Sequence, residues 1–552
     1  MTGILGTALS GLMAFQRALD TTSHNIANVN TEGYSRQKVQ LSASQASFYD
    51  GHYFGQGVNV TSVSRSYDQF ITGQLASSTS AFGESNTLST MAARMDNIVS
   101  GEATSLAPAL KSFFNSVNGV ANDPTSLPAR QVMKSEADAL SHQFNQLSAK
   151  FDELRNQTNS QMQGTVDDIN LYAESLATLN SKIALEGSRN SGNQLPNDLL
   201  DQRDNLINKI AEKVSVSTVA QDNGTIDIFI GKGQPLVLGA NTSKLSLAES
   251  NTDPGRLEIA LDGKEISKNI SGGELSGALK FRDQILEPAQ NQLGQIAAGV
   301  AVKLNEVHAT GYDLNGDPGT EMFSLGTPAL SVPVIAKPGS AGSVTASYDP
   351  ATIGQLTPSD YELSFDGSSF SLKNLSDNTV KTFPGTPPST ISGPGFSIET
   401  DASVAANDSF LIRPTFNAAQ NITSKITDPA KIAAAGTTGG SGLPNTGDNT
   451  VALNLAGLEN ASVLSGGKST LSGSYGKLVF QVGTQTHSAQ VSSKAQESLL
   501  NQATMERESL AGVNLDEEAA NLLKYQQSYQ AAAQVVTVAN TLFDTLIGAL
   551  RR

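Results

Sequence analysis

The amino-acid sequence predicts an α+β multidomain protein with terminal coiled-coil helices, a long-helix rod domain and inserted small β domains. Three observations lead to this fold class. The chain has 552 residues, which is enough for about three to four domains. Heptad repeats of apolar residues occupy both ends of the chain. The interior combines long helical periodicity with segments rich in Gly, Pro, Ser and Thr.

The first segment, residues 1–84, combines a heptad helix with an extended stretch. Apolar side chains recur every seven positions, with a companion three residues later, at Leu5, Leu12, Phe15, Leu19 and Ile26. This spacing places an apolar seam along one side of a helix. Between 34 and 64 the chain alternates apolar and polar residues, which predicts extended structure.

Helical patterning over residues 85–325 predicts a rod domain. Its longest run, 128–186, carries apolar residues at 3–4 spacing and changes phase near Asn159. This pattern predicts a long helix with a small discontinuity. A small β unit is expected at 214–262, where short apolar runs alternate with glycine-containing turns, and helix resumes over 274–308.

Two insertions follow the rod in the sequence. Residues 326–416 are rich in Gly, Pro, Ser and Thr and contain short alternating runs, so they are expected to form a β domain. Residues 417–492 are interpreted as a second, looser β-containing insertion. Helix is expected to return near Ser493.

The last segment, 493–552, is expected to form a helix that pairs with the N-terminal one. Apolar or aromatic residues again recur every seven positions, at Leu515, Leu522, Tyr529, Val536, Phe543 and Leu550. Asn514 is the expected N-cap, and the acidic residues 516–518 suit the positive end of the helix dipole. We interpret this acidic trio as a solvated helix start rather than as a catalytic carboxylate site.

The terminal helices carry very few charges. Residues 1–30 contain only Arg17 and Asp20 among Asp, Glu, Lys and Arg, and residues 525–550 contain only Asp544. An isolated coiled coil normally flanks its seam with Glu and Lys. The heptad residues are therefore predicted to form an assembly interface between subunits. The alternative is that both segments are ordinary core helices of one domain.

Composition excludes several classes of function. The chain has 36 Lys plus Arg and 52 Asp plus Glu, a net charge of −16, which argues against nucleic-acid binding. It has no Cys, which excludes disulfides, thiolate metal sites and thiol nucleophiles. The five His show no metal-binding spacing, so no catalytic, cofactor or metal site is expected.

Three further patterns were weighed. Residues 313–317 resemble the start of an EF-hand loop, but Pro318 replaces the required Gly, which favours an Asx turn over a calcium site. We found no apolar run long enough for a membrane helix and expect no membrane insertion. The N-terminus lacks a basic region, so a cleaved signal peptide is not expected.

Two sequence signatures resemble a known family. Residues 23–34, SHNIANVNTEGY, resemble the N-terminal signature of bacterial flagellar rod, hook and hook-associated proteins. Residues 512–518, GVNLDEE, followed by YQQSYQA at 525–531, are similar to the first hook-associated proteins, the hook–filament junction family. Interior segments agree with the same family at 199–204, 231–239, 311–316 and 408–414.

The resemblance implies a structural adaptor rather than an enzyme. It implies an extracellular protein of the flagellum, exported by the flagellar type III apparatus without a cleaved signal peptide. Copies would self-assemble as a ring at the hook tip, between the hook protein and the second junction protein. The terminal helices would form the inner tube, and an export chaperone would bind the C-terminal helix before assembly.

Two alternatives remain open at this stage. The chain could be another flagellar axial subunit, such as a hook protein or a second junction protein. It could also be a surface adhesin whose binding regions lie in residues 330–490 and whose helices form a stalk.

Overall fold

A computed structural model of the chain describes residues 2–550, apart from 50, 103, 190–194, 251–252, 254, 329 and 438–444. The side chains of Thr2, Tyr49 and Leu550 also lie outside the described part. The predicted α+β class is confirmed, because the chain begins and ends with long helices and contains a helical rod and several small sheets between them.

Helices dominate the described residues. In chain order they are α1 (Thr2–Ala27), α2 (Gln69–Ser100), α3 (Leu106–Asn122), α4 (Leu127–Arg189), α5 (Asn197–Lys213), α6 (Gly273–Phe281), α7 (Glu287–His308), α8 (Ala418–Asn421), α9 (Thr450–Gly457), α10 (Leu471–Ala511) and α11 (Leu515–Leu550). A π-helical turn at Arg282–Leu286 joins α6 to α7, and short 3-10 turns occur at Ser267–Asn269, Ile353–Gln355 and Pro429–Lys431.

A β-ribbon follows α1. Strands β1 (Gln37–Ala43) and β4 (Val58–Arg65) pair antiparallel, with a register shift after Gln40, and the short strands β2 (Ser47–Tyr49) and β3 (His52–Phe54) pair between them. Gly57 brings the ribbon against α1: its φ is +90°, and a Cβ there would lie 2.2 Å from Ser10 Oγ. Glycine is the residue that tolerates both this backbone conformation and this close approach.

The predicted small β unit forms two sheets beside the rod. Its strands are β5 (Val216–Ala220), β6 (Ile226–Ile230), β7 (Gln234–Leu238), β8 (Asn241–Thr242), β9 (Leu245–Glu249), β10 (Leu257–Leu261) and β11 (Lys264–Glu265). The first four form one sheet in chain order, and the last three form a second sheet in the order β11-β10-β9. Asn170 on α4 anchors the second sheet through hydrogen bonds to the backbone of Leu245, both 2.9 Å.

The expected β domain is also built from two antiparallel sheets. Its strands are β13 (Ser331–Val332), β14 (Val334–Ala336), β15 (Val344–Tyr348), β16 (Tyr361–Phe365), β17 (Ser369–Asn374), β18 (Val380–Pro384), β19 (Ser389–Ser392), β20 (Phe396–Thr400) and β21 (Ser409–Ile412). The sheet orders are β13-β15-β20-β19 and β14-β21-β16-β17-β18. Phe, Leu, Ile and Tyr side chains alternate inward along β16, β17 and β20, as expected for two packed faces.

The long helix predicted for the rod is present, but the discontinuity near Asn159 is wrong. Helix α4 runs for 63 residues without interruption. Its buried stripe continues from Leu154 through Thr158 to Met162. Thr158 fills the position where the apolar pattern lapses, and its hydroxyl donates to the Leu154 carbonyl at 2.8 Å. A polar residue satisfied within its own helix therefore hides the continuity of the stripe from a purely apolar pattern.

Two predictions of secondary structure at segment boundaries are wrong. Helix α2 begins at Gln69, well before the expected boundary at 85, with Asp68 as N-cap accepting from Phe70 N at 2.8 Å. The stretch 417–492 is not a β-containing insertion. Its described residues hold one strand, the two-residue β22 (Thr423–Ser424), which pairs with β12 (Phe323–Ser324).

Helix α10 occupies the end of that stretch and begins at Leu471 rather than near Ser493. Its first half buries a helical stripe of Leu471, Tyr475, Leu478 and Val482 against α2. Numerous Gly, Ser and Thr residues between these positions lower the helical propensity of the segment and suggested β structure. Tertiary packing overrides that propensity here.

Candidate assembly interface

Helices α1 and α11 pack against each other in antiparallel orientation. At one end Asn25 of α1 donates from Nδ2 to Glu518 Oε2 of α11 at 3.2 Å. At the other end Thr7 and Gly11 of α1 line a shallow groove with residues 528–535 of α11. The two chain ends thus form a helical pair, in which α11 rather than the whole of 493–552 packs against α1.

The buried face of α1 is built from small residues. Ala8, Ala14, Ala18, Thr22 and Asn25 are all less than 7% exposed. Small side chains let helix backbones approach closely, so this line is where α1 meets its neighbours α11, β1 and β4.

The apolar residues predicted for α1 flank that line instead of forming it. Leu12, Phe15, Leu19 and Ile26 are half-buried, and Leu5 is exposed. The close contact within the chain is therefore one residue out of register with the heptad on α1, and the role of the heptad residues between subunits stays a prediction. Leu12, Leu19 and Ile26 directly follow Gly11, Ala18 and Asn25, which are buried.

On α11 the predicted heptad lies on the face turned toward α1. Leu522, Tyr529 and Val536 are half-buried. The residues at the two ends of the heptad are more exposed than these three, since Leu515 is 52% exposed and Phe543 is 50% exposed. Leu550 lies outside the described side chains.

Much apolar surface of the pair stays uncovered. All described side chains from 541 to 549 are exposed, including Leu542, Leu546 and Ile547, and on α1 so are Leu9 and Met13. Contiguous exposed apolar surface of this kind marks an interaction site on a soluble protein.

One stretch of this exposed surface is strongly apolar on average. Among the described residues, the helical stretch Leu471–Ala549 contains an 18-residue window apolar enough to cross a membrane by length and composition alone, and none of that window is buried. The absence of membrane insertion stays a prediction.

A polar cluster, which we call the latch, ties the two helices together: Asn25, Tyr34, Arg36, Glu517 and Glu518. The Arg36 guanidinium donates from Nε to Glu518 Oε1 at 2.7 Å. Its two terminal nitrogens donate to the two carboxylate oxygens of Glu517, at 2.9 and 2.7 Å. Paired arginine–carboxylate contacts of this kind fix both distance and orientation.

The interpretation of residues 516–518 as a solvated helix start is wrong for Glu518. This side chain is 1% exposed and is neutralised by the nearly buried Arg36. Glu517 keeps its exposure, and its hydrogen bond with Arg36 lowers the pKa of its carboxyl. The expected N-cap is present, since Asn514 Oδ1 accepts from Asp516 N at 2.9 Å.

Asn25 connects the latch to the strand that follows. Its Oδ1 accepts from Tyr34 Oη at 2.7 Å and from Gln37 N at 2.9 Å, while Nδ2 donates to the Gln37 carbonyl at 2.9 Å. Burial, with the negative charge of Asp198 next, raises the pKa of the Tyr34 hydroxyl. Tyr34 therefore acts as a neutral hydrogen-bond donor at this position.

The segment after α1 is also anchored to the rod. Ser35 N donates to Asp201 Oδ2 at 2.8 Å, and Arg65 Nη1 lies 2.7 Å from both Asp201 Oδ1 and Asp204 Oδ2. From α10, Arg507 Nη2 donates to the carbonyl of Tyr34 at 3.0 Å. Helices α1, α5, α10 and α11 therefore meet around residues 33–37.

Among the described residues, no group of three or more His, Cys, Asp or Glu is placed to hold a metal ion. Asp313 Oδ1 accepts from Asn315 N at 2.7 Å and from Asp317 N at 2.9 Å, which is the Asx turn expected for 313–317.

Family models match the chain along most of its length. The flagellar hook-associated protein FlgK helical domain matches 92–323, and the flagellar hook-associated protein 1 D2-like domain matches 336–414. The flagella basal body rod protein model matches 5–34, and the flagellar basal body rod FlgEFG protein C-terminal model matches 509–549.

Curated relatives extend the match to the whole chain. Flagellar hook-associated protein 1 of Salmonella typhimurium is 34% identical over 558 residues, covering 99% of this chain and 100% of the relative. The chain belongs to the flagellar hook-associated protein 1 family. The Escherichia coli protein of that name is also 34% identical, over 554 residues with the same coverage. The Bacillus subtilis one is 26% identical over 570 residues, covering 99% of this chain and 98% of the relative.

A solved structure agrees with the fold of this hook-associated protein. The flagellar hook junction protein FlgK from Burkholderia pseudomallei is 26% identical and superposes with a TM-score of 0.71, covering 80% of this chain and 100% of that one. These relatives are structural proteins of the flagellum rather than enzymes.

The two basal-body models match the segments that meet in the helical pair. The match at 5–34 includes α1 and Tyr34, and the match at 509–549 includes Glu517 and Glu518. The signature residues at 23–34, recognised only as a pattern in the sequence, have a physical role in this hook-associated protein, because Asn25 and Tyr34 complete the latch.

Sequence reasoning missed Arg36 and the pairing role of Glu518. The sequence does contain a sign of this contact. Glu518 lies three residues after the heptad residue Leu515, whereas the equivalent positions later in α11 hold apolar or aromatic residues. In the N-terminal segment, Arg36 lies two residues after the end of the signature and is a suitable cation for such a buried carboxylate.

Proposed function

We propose that the chain is a structural adaptor that joins the hook to the filament of a bacterial flagellum through ring-like self-assembly at the hook tip. The observation that carries this proposal is the apolar surface left open on the helical pair while the latch holds the pair together. A surface that is rigid, apolar and uncovered in one copy is suited to burial against neighbouring copies.

The exposure of the predicted interface residues supports this role. Leu12, Phe15 and Leu19 on α1 remain half-exposed beside the close contact, and Phe543 on α11 is half-exposed beyond it. Contacts between unlike surfaces of successive copies generate rings or helical arrays. We propose that Leu5, Leu12, Phe15, Leu19, Ile26, Leu515, Leu522, Tyr529, Val536, Phe543 and Leu550 contribute to those contacts.

The proposed partners are further copies of the chain, the hook protein and the second junction protein. We also propose that a flagellar export chaperone binds the C-terminal helix before assembly, because the residues around Phe543 form an uncovered apolar stripe. The proposed location is extracellular, at the hook–filament junction, after export without a cleaved signal peptide.

A gene deletion tests the adaptor role directly. Cells without the gene should carry hooks but no filaments, and filament subunits should accumulate in the medium. Electron microscopy of the cells and an immunoblot of the medium give the two readouts. Normal filaments on the deletion strain would refute the proposal.

A matched pair of variants tests the surface. Phe543→Asp places a charge on the open apolar face of α11 and should abolish incorporation into the hook tip while leaving the purified chain folded. Leu171→Asp is the control, because Leu171 is similarly exposed, at 59%, on the outer side of α4. If Phe543→Asp still assembled and complemented the deletion, α11 would not be the contact surface.

A further inference from the structure

A cluster of charged side chains, most of them partly or fully buried, lies where the β domain meets the rod and the β unit. We call it the junction cluster and define it by Asp253, Arg256, Asp283, Glu287, Asp360 and Arg413. Arg256 of the β unit contacts Asp283 at 2.8 Å and Glu287 at 2.7 Å, and Arg282 pairs with the same two carboxylates. Charges are rarely buried without a specific partner, so this arrangement needs a structural reason.

Arg413 is the member that links the β domain to the β unit. It follows β21 in the β domain, and its Nε donates to Asp360 Oδ2 of the same domain at 3.0 Å. Its Nη1 donates to Asp253 Oδ1, in the turn between β9 and β10 of the β unit, at 2.9 Å. The three side chains are 8%, 16% and 14% exposed, respectively.

An aromatic ring holds the Arg413 guanidinium in place. The ring centre of Phe416 lies 3.4 Å from the Arg413 guanidinium carbon and 4.7 Å from that of Arg155 on α4. Stacking on a ring suits the flat guanidinium and leaves its edge free for the two carboxylates. The orientation of Arg413 is therefore set from three sides.

Other polar contacts of the β domain reach α7 and the segment before α10. Lys303 Nζ of α7 donates to the carbonyl of Pro350 at 3.1 Å, and Gln295 Nε2 of α7 donates to the carbonyl of Leu356. Gly466 N donates to the carbonyl of Gly354 at 2.6 Å. None of these three contacts reaches the β unit. The contact between Arg413 and Asp253 does reach it, and so adds a restraint on the orientation of the β domain at a separate point.

The energetics favour an orienting role over a stabilising one. Asp360 Oδ1 is buried and has no hydrogen-bond partner among the described atoms. Burial raises the pKa of the Asp360 carboxyl to about 6, although the neighbouring Arg413 acts to lower it. Buried ion pairs of this kind contribute little net stability, and their best-attested role is to specify one arrangement over others.

We propose that Arg413 is a positioning residue that fixes the orientation of the β domain on the rod through its contact with Asp253. The β domain keeps its own sheets and its contacts with α7 without this bridge. Loss of the bridge therefore changes the orientation of the domain and leaves its fold intact. This role is independent of the proposed assembly through α1 and α11.

Distance measurements between two spin labels test the proposal. The chain has no cysteine, so Ser175→Cys on α4 and Thr382→Cys on β18, both exposed, provide two unique labelling sites. The parent double-cysteine chain should give one narrow distance distribution by pulsed electron resonance. Adding Asp253→Asn, which leaves the β domain unchanged in sequence, should broaden that distribution or add a second population.

Three controls make the result decisive. Asp253→Glu keeps the charge and should restore a narrow distribution. Lys337→Gln removes an ion pair with Glu362 inside the β domain and should leave the distribution unchanged. An unchanged distribution in Asp253→Asn would overturn the proposal. So would loss of the near-ultraviolet signal of the β-domain tyrosines in that variant, because it would assign Asp253 a role in folding.

Discussion

The rod and the terminal helical pair both carry periodic apolar residues, but only the rod buries them within one chain. Phe144 and Phe151 of α4 are fully buried, whereas Phe543 of α11 is half exposed. The outer face of α4 carries ion pairs such as Lys134–Asp138, at 2.8 Å. Helix α1 has only Arg17 and Asp20, and after Lys524 helix α11 has only Asp544, so both turn few charges toward water.

This difference teaches how to interpret an apolar repeat. Periodicity identifies the face that must be covered, and it carries no information on whether the cover comes from the same chain. The charge of the opposite face does carry that information, because a helix whose outer face remains in contact with water needs polar residues on that face. The rod is complete as a single chain, and the terminal pair is not.

The largest expected effect lies in the rod. Phe144→Ala removes a fully buried ring and should lower the free energy of unfolding by about 3–5 kcal/mol. Denaturant unfolding followed by circular dichroism measures this loss. Phe543→Ala is the matched control and should change the unfolding free energy of the chain by less than about 0.5 kcal/mol, since the ring is half exposed. Equal losses would remove the distinction between the two regions.

The next largest effect is expected from breaking the latch, which should loosen the terminal helices without loosening the rod. Arg36→Met leaves the buried Glu518 without its cation, which should weaken the docking of α1 on α11 by roughly 3 kcal/mol. Hydrogen exchange should then accelerate in α1 and α11 and remain unchanged in α4. Arg17→Met, an exposed change on α1, should leave every helix protected as before. Faster exchange in α4 would mean that the two regions are not independent.

Acid is expected to loosen the rod through His308. Burial lowers the pKa of its imidazole to about 4; the charge of Arg130 acts in the same direction, and that of Asp313 acts in the opposite one. Its Nε2 accepts from Ala433 N at 2.7 Å, so protonation breaks that contact. Because the unfolded chain binds this proton near pH 6.5, stability is lost as pH falls from 6.5 toward 4.

The expected loss through His308 is about 2 kcal/mol between pH 7 and pH 5. Unfolding curves of the chain and of His308→Gln at both pH values measure it, because the variant lacks this titration while the raised pKa of Asp360 acts in both proteins. An identical pH dependence in the two proteins would contradict the assignment.

The smallest effect on stability is expected on the open face of the helical pair. Met13 is 58% exposed, so Met13→Ser should change the unfolding free energy by no more than about 0.5 kcal/mol. The same change should still reduce incorporation at the hook tip, because it removes apolar surface from the proposed contact. Full incorporation of Met13→Ser would place Met13 outside that contact.

Local pattern was sufficient for much of the fold. The rod helix α4, the β unit and the strands between 331 and 412 follow from periodicity and turn residues. The segment 417–492 was misassigned for two reasons. Gly and Ser lie between the apolar residues of the helical stripe that begins at Leu471, and they weaken its pattern. The burial of this stripe also depends on α2, which lies far away in sequence. Local composition reports only residues that are close in the sequence, whereas this helix is stabilised by tertiary contacts with residues that are distant in the sequence.

The candidate site was predicted only in outline. The sequence identified the two helices and their pairing, but the buried line on α1 runs through Ala14 and Ala18 rather than Leu12 and Leu19. An apolar pattern gives small residues little weight, although their size permits close packing. The ion pair between Arg36 and Glu518 joins residues 482 positions apart, and no local pattern reports such a contact.

That separation has a consequence for the order in which the molecule folds. Ribosomes make the chain from its N-terminus, so α1 and Arg36 exist long before Glu518, which lies 493 residues beyond Asn25. The rod can be completed once α10 has been made and packs on α2, whereas α1 must wait for the still later α11. Closure of the latch is therefore a late folding event that marks a full-length molecule. A chain that stops before Glu517 would present a folded rod with an unpaired N-terminal helix.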